Sequence, residues 1–261
     1  MDSEQVGKYW EENATTWTRH ARAGYDIYRD ALNTPAFLEL LPNIEGLLGL
    51  DIGCGEGSNT RKLAERGASM RAIDIAPTFI QLAREQESED PRGIQFFLGD
   101  ATDLPFKKAQ FDFLTAFMSL MDIPDQEQVL QEMHRVAKPD AFMQFSILHP
   151  CFVPPGRRNI KDDTGVTREV AISGYFSEMS GEVETWHFHA APQEELAHTE
   201  PFKVPRFHRT LSGWVNILIK TGWTISAMAE PAADDKAIKR YPRLAATTIA
   251  PLFMIFQCRK S

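Results

Sequence analysis

Eight residues, Leu50-Asp51-Ile52-Gly53-Cys54-Gly55-Glu56-Gly57, stand between an apolar run and a segment of helical composition, with glycine at every second position from 53. A strand that turns at once into a helix needs backbone conformations that side chains forbid, and glycine supplies them. The run before it, Leu47 to Asp51, reads as the strand; Ser58 to Arg66, with Gly67 behind it, reads as the helix and its stop. A strand-turn-helix unit has to lay its helix on a sheet, so the chain is α/β.

The unit repeats. Met70-Arg71-Ala72-Ile73-Asp74 is a second strand, and Pro77 opens a helix whose Phe79, Ile80, Leu82 and Ala83 share a face. Ile94 to Leu98 and Phe111 to Ala116 are a third and a fourth strand. Asp125 caps a helix carrying Val129, Leu130, Met133, Val136 and Ala137, which ends before Pro139, and Ala141 to Ile147 is a fifth strand. Residues 151–207, rich in Pro, Gly and charge without a period, read as an insertion. Regular pattern returns with a helix over Leu211 to Lys220 and strands over Trp223 to Ala229 and Leu252 to Cys258. Strands alternating with helices make a seven-stranded, mostly parallel, Rossmann-like sheet with helices on both faces.

The domain reading follows: residues 1–45 as an N-terminal helical lid, 46–150 and 208–261 as the sheet domain, and 151–207 as an inserted cap over the substrate. With 28 Lys and Arg against 36 Asp and Glu, the net charge of −8 repels a phosphate backbone, so no nucleic-acid partner is expected. Three scattered cysteines, Cys54, Cys151 and Cys258, form no Cys-x-x-Cys pair and fit a reducing compartment. The first residues lack a signal-peptide pattern, and no run approaches the roughly 18 apolar residues that span a bilayer. A cytoplasmic protein without a membrane partner is expected; its oligomeric state is not legible.

Three successive strands end in acids at one sheet edge. Asp74 lies 19 residues after Gly55, where a carboxylate can accept from both hydroxyls of a ribose, and Asp100 in Gly99-Asp100-Ala101 can accept from an adenine amino group. A nucleoside ligand is suggested. A nicotinamide dinucleotide is disfavoured, because Ser58 stands where the last glycine of G-x-G-x-x-G belongs and no Tyr-x-x-x-Lys occurs.

Over residues 45–150 the chain resembles the class I S-adenosylmethionine-dependent methyltransferases of the small-molecule branch. Asp51 to Gly57 resembles the family's first motif, Ala72-Ile73-Asp74-Ile75 its second, Gly99-Asp100-Ala101 its third, and Phe111-Asp112-Phe113-Leu114 its fourth strand. The resemblance implies S-adenosyl-L-methionine as cofactor, S-adenosyl-L-homocysteine as product, and strand order 3-2-1-4-5-7-6 with strand 7 antiparallel. It implies a cofactor site including Asp51, Gly53, Cys54 and Gly55, with the methionine part on the two glycines. Asp74 would hold the ribose, Ile75 would touch the adenine, Asp100 and Ala101 would bind its edge, and Phe117 and Met118 would line the pocket. Trp17 and Tyr28 either close over the cofactor or pack in the core.

The acceptor implied is a small organic molecule methylated at oxygen, nitrogen or carbon. Ala116-Phe117-Met118-Ser119 stands where amide and base methylases carry an Asn-Pro-Pro-Tyr-like tetrapeptide, which disfavours DNA adenine methylation. A general base contributes about 10²–10⁴-fold where a proton must leave. His149, leaving the fifth strand, and His208, before the helix with Trp214 that Thr210 or Ser212 caps, are the candidate catalytic residues; His149 is set against a backbone-bonding role in the turn before Pro150. Tyr175 and Trp186 join them as candidate substrate contacts; with Phe176 and Phe188 they make an aromatic lid or its core. Trp186-His187-Phe188-His189 reads as an ordinary hairpin strand rather than a metal site. The alternative to an enzyme is a sensor or activating subunit that binds the same cofactor without transferring its methyl group.

Overall fold

The computed structural model describes residues 1–177 and 179–261. Helix α1 (Ser3–Arg22) is closed by a capping box between Asp2 and Gln5, and a π turn over Arg29–Asn33 leads into α2 (Thr34–Leu40). The repeating core follows: β1 (Leu48–Ile52), α3 (Ser58–Ala64), β2 (Ser69–Asp74), α4 (Pro77–Glu89), β3 (Gln95–Leu98), β4 (Phe111–Phe117), α5 (Gln126–Val136) and β5 (Ala137–Leu148). Beyond it lie β6 (Arg158–Lys161), β7 (Thr167–Ala171), β8 (Glu182–Trp186), α6 (Gln193–Ala197) and β9 (Phe202–Arg206). The chain ends with α7 (Leu211–Lys220), β10 (Trp223–Ala229), α8 (Asp235–Arg240), a 3-10 turn over Pro242–Thr248, and β11 (Phe253–Lys260).

Seven strands form one sheet in the order β3-β2-β1-β4-β5-β11-β10. β11 runs antiparallel to both its neighbours and the other pairs are parallel, so the order counted within the sheet is 3-2-1-4-5-7-6. The sheet is apolar on both faces: Leu50 and Ile52 of β1 join one core with Phe145, Trp214 and Phe256, while Phe113 of β4 and Phe142 of β5 face a second with Ile44, Leu63 and Met70. Asp125 caps α5 through the Gln128 N–H, as its position before the apolar stripe requires.

β5 begins earlier than the sequence suggests. It runs from Ala137 across Pro139, and Asp140 takes φ +65° where pairing with β4 slips between Phe111 and Phe113. The insertion is not patternless either: β6 pairs with β7 and β8 with β9 as two antiparallel hairpins. β8 stops at Trp186, so His187 and His189 lie beyond the strand expected to carry them.

Buried amides fasten the N-terminal segment to the sheet. Gln144 Nε2 donates to Phe37 O at 2.6 Å, and Gln257 Nε2 donates to Leu40 O at 2.9 Å and to Gln144 Oε1 at 3.0 Å. Each is a polar group in a strand that would be costly to bury without these partners. α1 is held from two sides: Glu11 accepts from the Thr78 N–H and hydroxyl at the start of α4, and Asn13 exchanges hydrogen bonds with the Lys203 backbone of β9. Among the described residues no helix is long and apolar enough to cross a membrane.

Candidate functional site

A cavity of about 550 Å³ opens at the carboxyl edge of the sheet, within the size range of small-molecule sites. Its floor is the glycine turn. Gly53, Gly55 and Gly57 all take positive φ, which lets the Gly53 and Cys54 N–H groups donate to Ile73 O at 2.9 and 3.1 Å. The Gly55 N–H donates to Asp74 Oδ2 at 2.8 Å and the Ala76 N–H to Asp74 Oδ1 at 2.9 Å. Asp74 therefore locks the turn after β1 to the end of β2 while lining the cavity. Burial raises its affinity for a proton, and the backbone N–H groups of Ala76, Gly55 and Ile75 oppose that shift.

Most of the expected cofactor residues meet on this cavity. Gly53, Cys54, Gly55, Asp74 and Ile75 line it from β1 and β2, and Asp100 and Ala101 from the end of β3. Asp100 Oδ1 accepts from the Thr102 N–H at 2.8 Å. Phe117 also lines it, stacked 3.8 Å from Phe37. Met118 takes φ +55°, a conformation few non-glycine residues hold, and is fixed by its N–H on Ser146 O at 3.0 Å and by the next residue's hydroxyl, Ser119 Oγ, on Ile52 O at 2.6 Å. Cys54 packs against the second core; burial, followed by Asp74 and Asp51, pushes its thiol well above the ordinary range, so it stays protonated.

The roof comes from both covering segments. Trp17 of α1 sits 5.2 Å from Trp186, 4.8 Å from Phe188 and 5.0 Å from Phe202, so helix and hairpin β8–β9 meet on one aromatic cluster. Trp17, Tyr28 and Trp186 also line the cavity. Trp17 and Tyr28 are thus packed and cavity-facing at once.

Four expected site residues lie elsewhere, and each placement has a physical cause. Asp51 is beneath the turn, taking hydroxyl hydrogen bonds from Thr60 at 2.5 Å and Thr115 at 2.8 Å; it braces β1 to α3 and β4. His149 is 1% exposed, and its Nδ1 accepts from the Cys151 N–H at 3.1 Å, which leaves the ring proton on Nε2 for Glu230 at 2.7 Å. Both ring nitrogens are occupied. His208 contacts Tyr175 O at 2.8 Å, and the Tyr175 hydroxyl accepts from the Leu211 N–H at 3.0 Å, so the pair joins the insertion to α7. His149→Gln is accordingly expected to cost about 1 kcal/mol of stability, the worth of a lost hydrogen bond, with ligand affinity kept. Thermal unfolding beside a binding titration checks this, and a variant with native stability and lost turnover overturns it.

Asp51 also sets a pH dependence. Burial raises its pKa from 3.8 to about 6 against the pull of Thr60 and Thr115. A carboxyl raised in the folded state adds stability that is complete below its unfolded value and is lost as pH climbs through the folded one. Asp51→Asn should lose less stability than the parent between about pH 4 and pH 6, and parallel unfolding curves would count against it.

Several cavity residues have no sequence signal. Asn33, fully buried, donates from Nδ2 to Ser146 Oγ at 3.0 Å, while its Oδ1 has no partner. Asp122 follows β4, and burial raises it well above the carboxylate range, with Arg206 opposing and Glu184 reinforcing the shift. His189, Arg157 and Arg243 complete the wall from the insertion and from the β10–β11 connection. Because β10 runs parallel to β5, that connection has to start at the carboxyl edge; the rule that ligands gather there is the signal that points to it. Among the described residues no cluster of three or more His, Cys, Asp or Glu side chains is placed to hold a metal ion.

A methyltransferase domain model matches residues 50–145. Norajmaline N-methyltransferase of Rauvolfia serpentina is 27% identical over 81% of this chain and 75% of its own length. Magnesium-protoporphyrin O-methyltransferase of Rhodobacter capsulatus is 32% identical over 49% of this chain and 62% of its own. The crystal structure of an S-adenosylmethionine-dependent methyltransferase from Mesorhizobium loti superposes with a TM-score of 0.70 at 26% identity, covering 87% of this chain and 96% of that one. The chain spans between 20% and 75% of the length of the first curated relatives it matches.

Proposed function

We infer, from a chain that belongs to the class I S-adenosylmethionine-dependent methyltransferases, that it moves a methyl group to oxygen, nitrogen or carbon of a small organic acceptor. The observation that carries the reading is a single cavity joining the glycine turn, Asp74 and Asp100 to a chamber walled by Leu148, Trp186, Leu252 and Phe253. The donor set suits the cofactor: a positive-φ glycine turn for close approach, a buried carboxylate at the end of β2 for the ribose, and Asn33 Oδ1 as a buried acceptor without a partner.

When bound, S-adenosylmethionine supplies a methyl group already activated on a sulfonium sulfur. The protein's part is then to position the acceptor in line and to exclude water. Gly53 and Gly55 hold the amino-acid end, Asp74 the ribose, and Asp100 with Ala101 the adenine edge. Residues 1–45 and 151–207 serve as lid and cap, meeting at Trp17 and Trp186.

Asp122 is the side chain suited to hold the acceptor's proton, because burial makes it a stronger base than an ordinary carboxylate. Turnover should rise with pH as that carboxyl ionises, above the usual carboxylate range, and Asp122→Asn should abolish the rise while S-adenosylhomocysteine affinity is retained. An unaltered pH profile removes Asp122 from this role.

Side-by-side calorimetric titrations with S-adenosylmethionine, S-adenosylhomocysteine and the two nicotinamide dinucleotides test the function as a whole. Binding of the first two alone is expected, followed by methyl transfer in an acceptor screen. Nicotinamide dinucleotide binding in their place overturns it, and cofactor binding without transfer to any acceptor favours the sensor reading.

A further inference from the structure

The cavity's arginines are not equally partnered. Arg29 is held by Asp30 at 2.8 Å and Arg206 by Glu184 at 2.9 Å. Arg157, which follows the exit from β5, has two guanidinium nitrogens, Nε and Nη2, buried without a hydrogen-bond partner. Arg243, on the 3-10 turn before β11, makes no ion pair among the described residues. Buried guanidinium donors without acceptors are costly, and a bidentate anion removes that cost.

These two arginines lie on the β5–β11 side of the sheet, away from the acids that end β2 and β3. Tyr28 stands with them: burial raises its hydroxyl pKa, and Arg243 and Arg157 pull it back. It keeps its proton, which makes it a donor for an anion. His189 shares this corner; burial, followed by Arg243 and His187, lowers its pKa, so it stays neutral and the positive charge here comes from the two arginines. The wall around them is apolar: Leu148, Leu252 and Phe253.

We propose that the methyl acceptor is an apolar molecule bearing an anionic group, a carboxylate or a phosphate, which Arg157 and Arg243 bind with help from the Tyr28 hydroxyl. The inference rests on the methyltransferase reading and names its substrate class. The acids near the glycine turn and the cations here give the cavity opposite charge at its two sides. A cationic cofactor and an anionic acceptor would therefore enter in one orientation only.

The probes are benzoate, 4-hydroxybenzoate and indole-3-acetate, each titrated beside its neutral amide, with phenyl phosphate as the second anion, all in saturating S-adenosylhomocysteine. At least one acid should bind about tenfold or more tighter than its amide, as a charged hydrogen-bonded pair requires. The stronger of benzoate and phenyl phosphate identifies the anion. Arg157→Gln and Arg243→Gln should each reduce the preference and leave S-adenosylhomocysteine affinity intact, whereas Arg158→Gln, an equal charge change on exposed β6, should keep it.

No preference for the anion in any pair overturns the proposal, as does a preference that survives both variants. Loss of S-adenosylhomocysteine affinity in Arg157→Gln also overturns it, because the guanidinium would then serve the cofactor. A parent protein that fails to bind S-adenosylhomocysteine removes the methyltransferase reading and this inference together; normal cofactor binding without anion preference removes this inference alone.

Discussion

Asp74→Ala is expected to weaken S-adenosylmethionine binding by about 10–150-fold, the equivalent of about 1.5–3 kcal/mol for hydrogen bonds to a charged group. The loss has two sources. Two ribose hydroxyls lose their acceptor, and the Gly55 and Ala76 N–H groups lose the carboxylate that fixes the turn. Each buried N–H left unpaired costs about 1–3 kcal/mol, so thermal stability should fall as well. Asp74→Asn separates the two, since it retains one oxygen acceptor and loses the charge; its affinity should fall between parent and alanine variant. Calorimetry on the three proteins decides it, and equal affinity across them would remove Asp74 from the site.

Gly53→Val should be more damaging still. Gly53 sits at φ +65°, a conformation that costs an L-residue about 1–2 kcal/mol, and a Cβ there would collide with the Ser119 side chain. Ser119 cannot yield freely, because its hydroxyl holds Ile52 O at 2.6 Å and the residue before it is already strained. Forced overpacking adds about 1–3 kcal/mol, and the displaced turn should bring cofactor binding below detection. Gly24→Ala is the comparison: φ is +78° there with nothing within 4 Å of the added carbon, so only the backbone cost of about 1–2 kcal/mol applies. If both variants unfold at the same temperature, crowding against Ser119 contributes nothing.

The sheet was legible because its strands are short apolar runs bounded by glycine, proline and acids, a pattern set by burial on both faces. Asp74, Asp100 and the glycines were legible for the same reason, since strand ends in a parallel sheet fall on one edge. His149 shows where that reasoning stops. Its position after β5 is right for the edge, yet its ring turns to Glu230, a partner 81 residues away that no local pattern indicates. Arg157, His189 and Arg243 reach the cavity from irregular segments, and tertiary packing decides which of their side chains face inward. The hairpins of the insertion escaped for a further reason. β6 is exposed along its whole length, so no alternation of apolar and polar residues marks it.

The placement of β11 between β5 and β10 imposes an order on synthesis. β10 is complete at Ala229, but its sheet partner among the described residues spans Phe253–Lys260. At about 5–20 residues per second, a ribosome leaves that strand unpaired for some 2–6 seconds, with the edge of β5 equally open. The open edge of β5 is a template for a foreign strand during that interval. The chain is therefore most exposed to misassembly between completion of β10 and docking of β11, and a holdase acting in that interval would protect it more than one acting earlier.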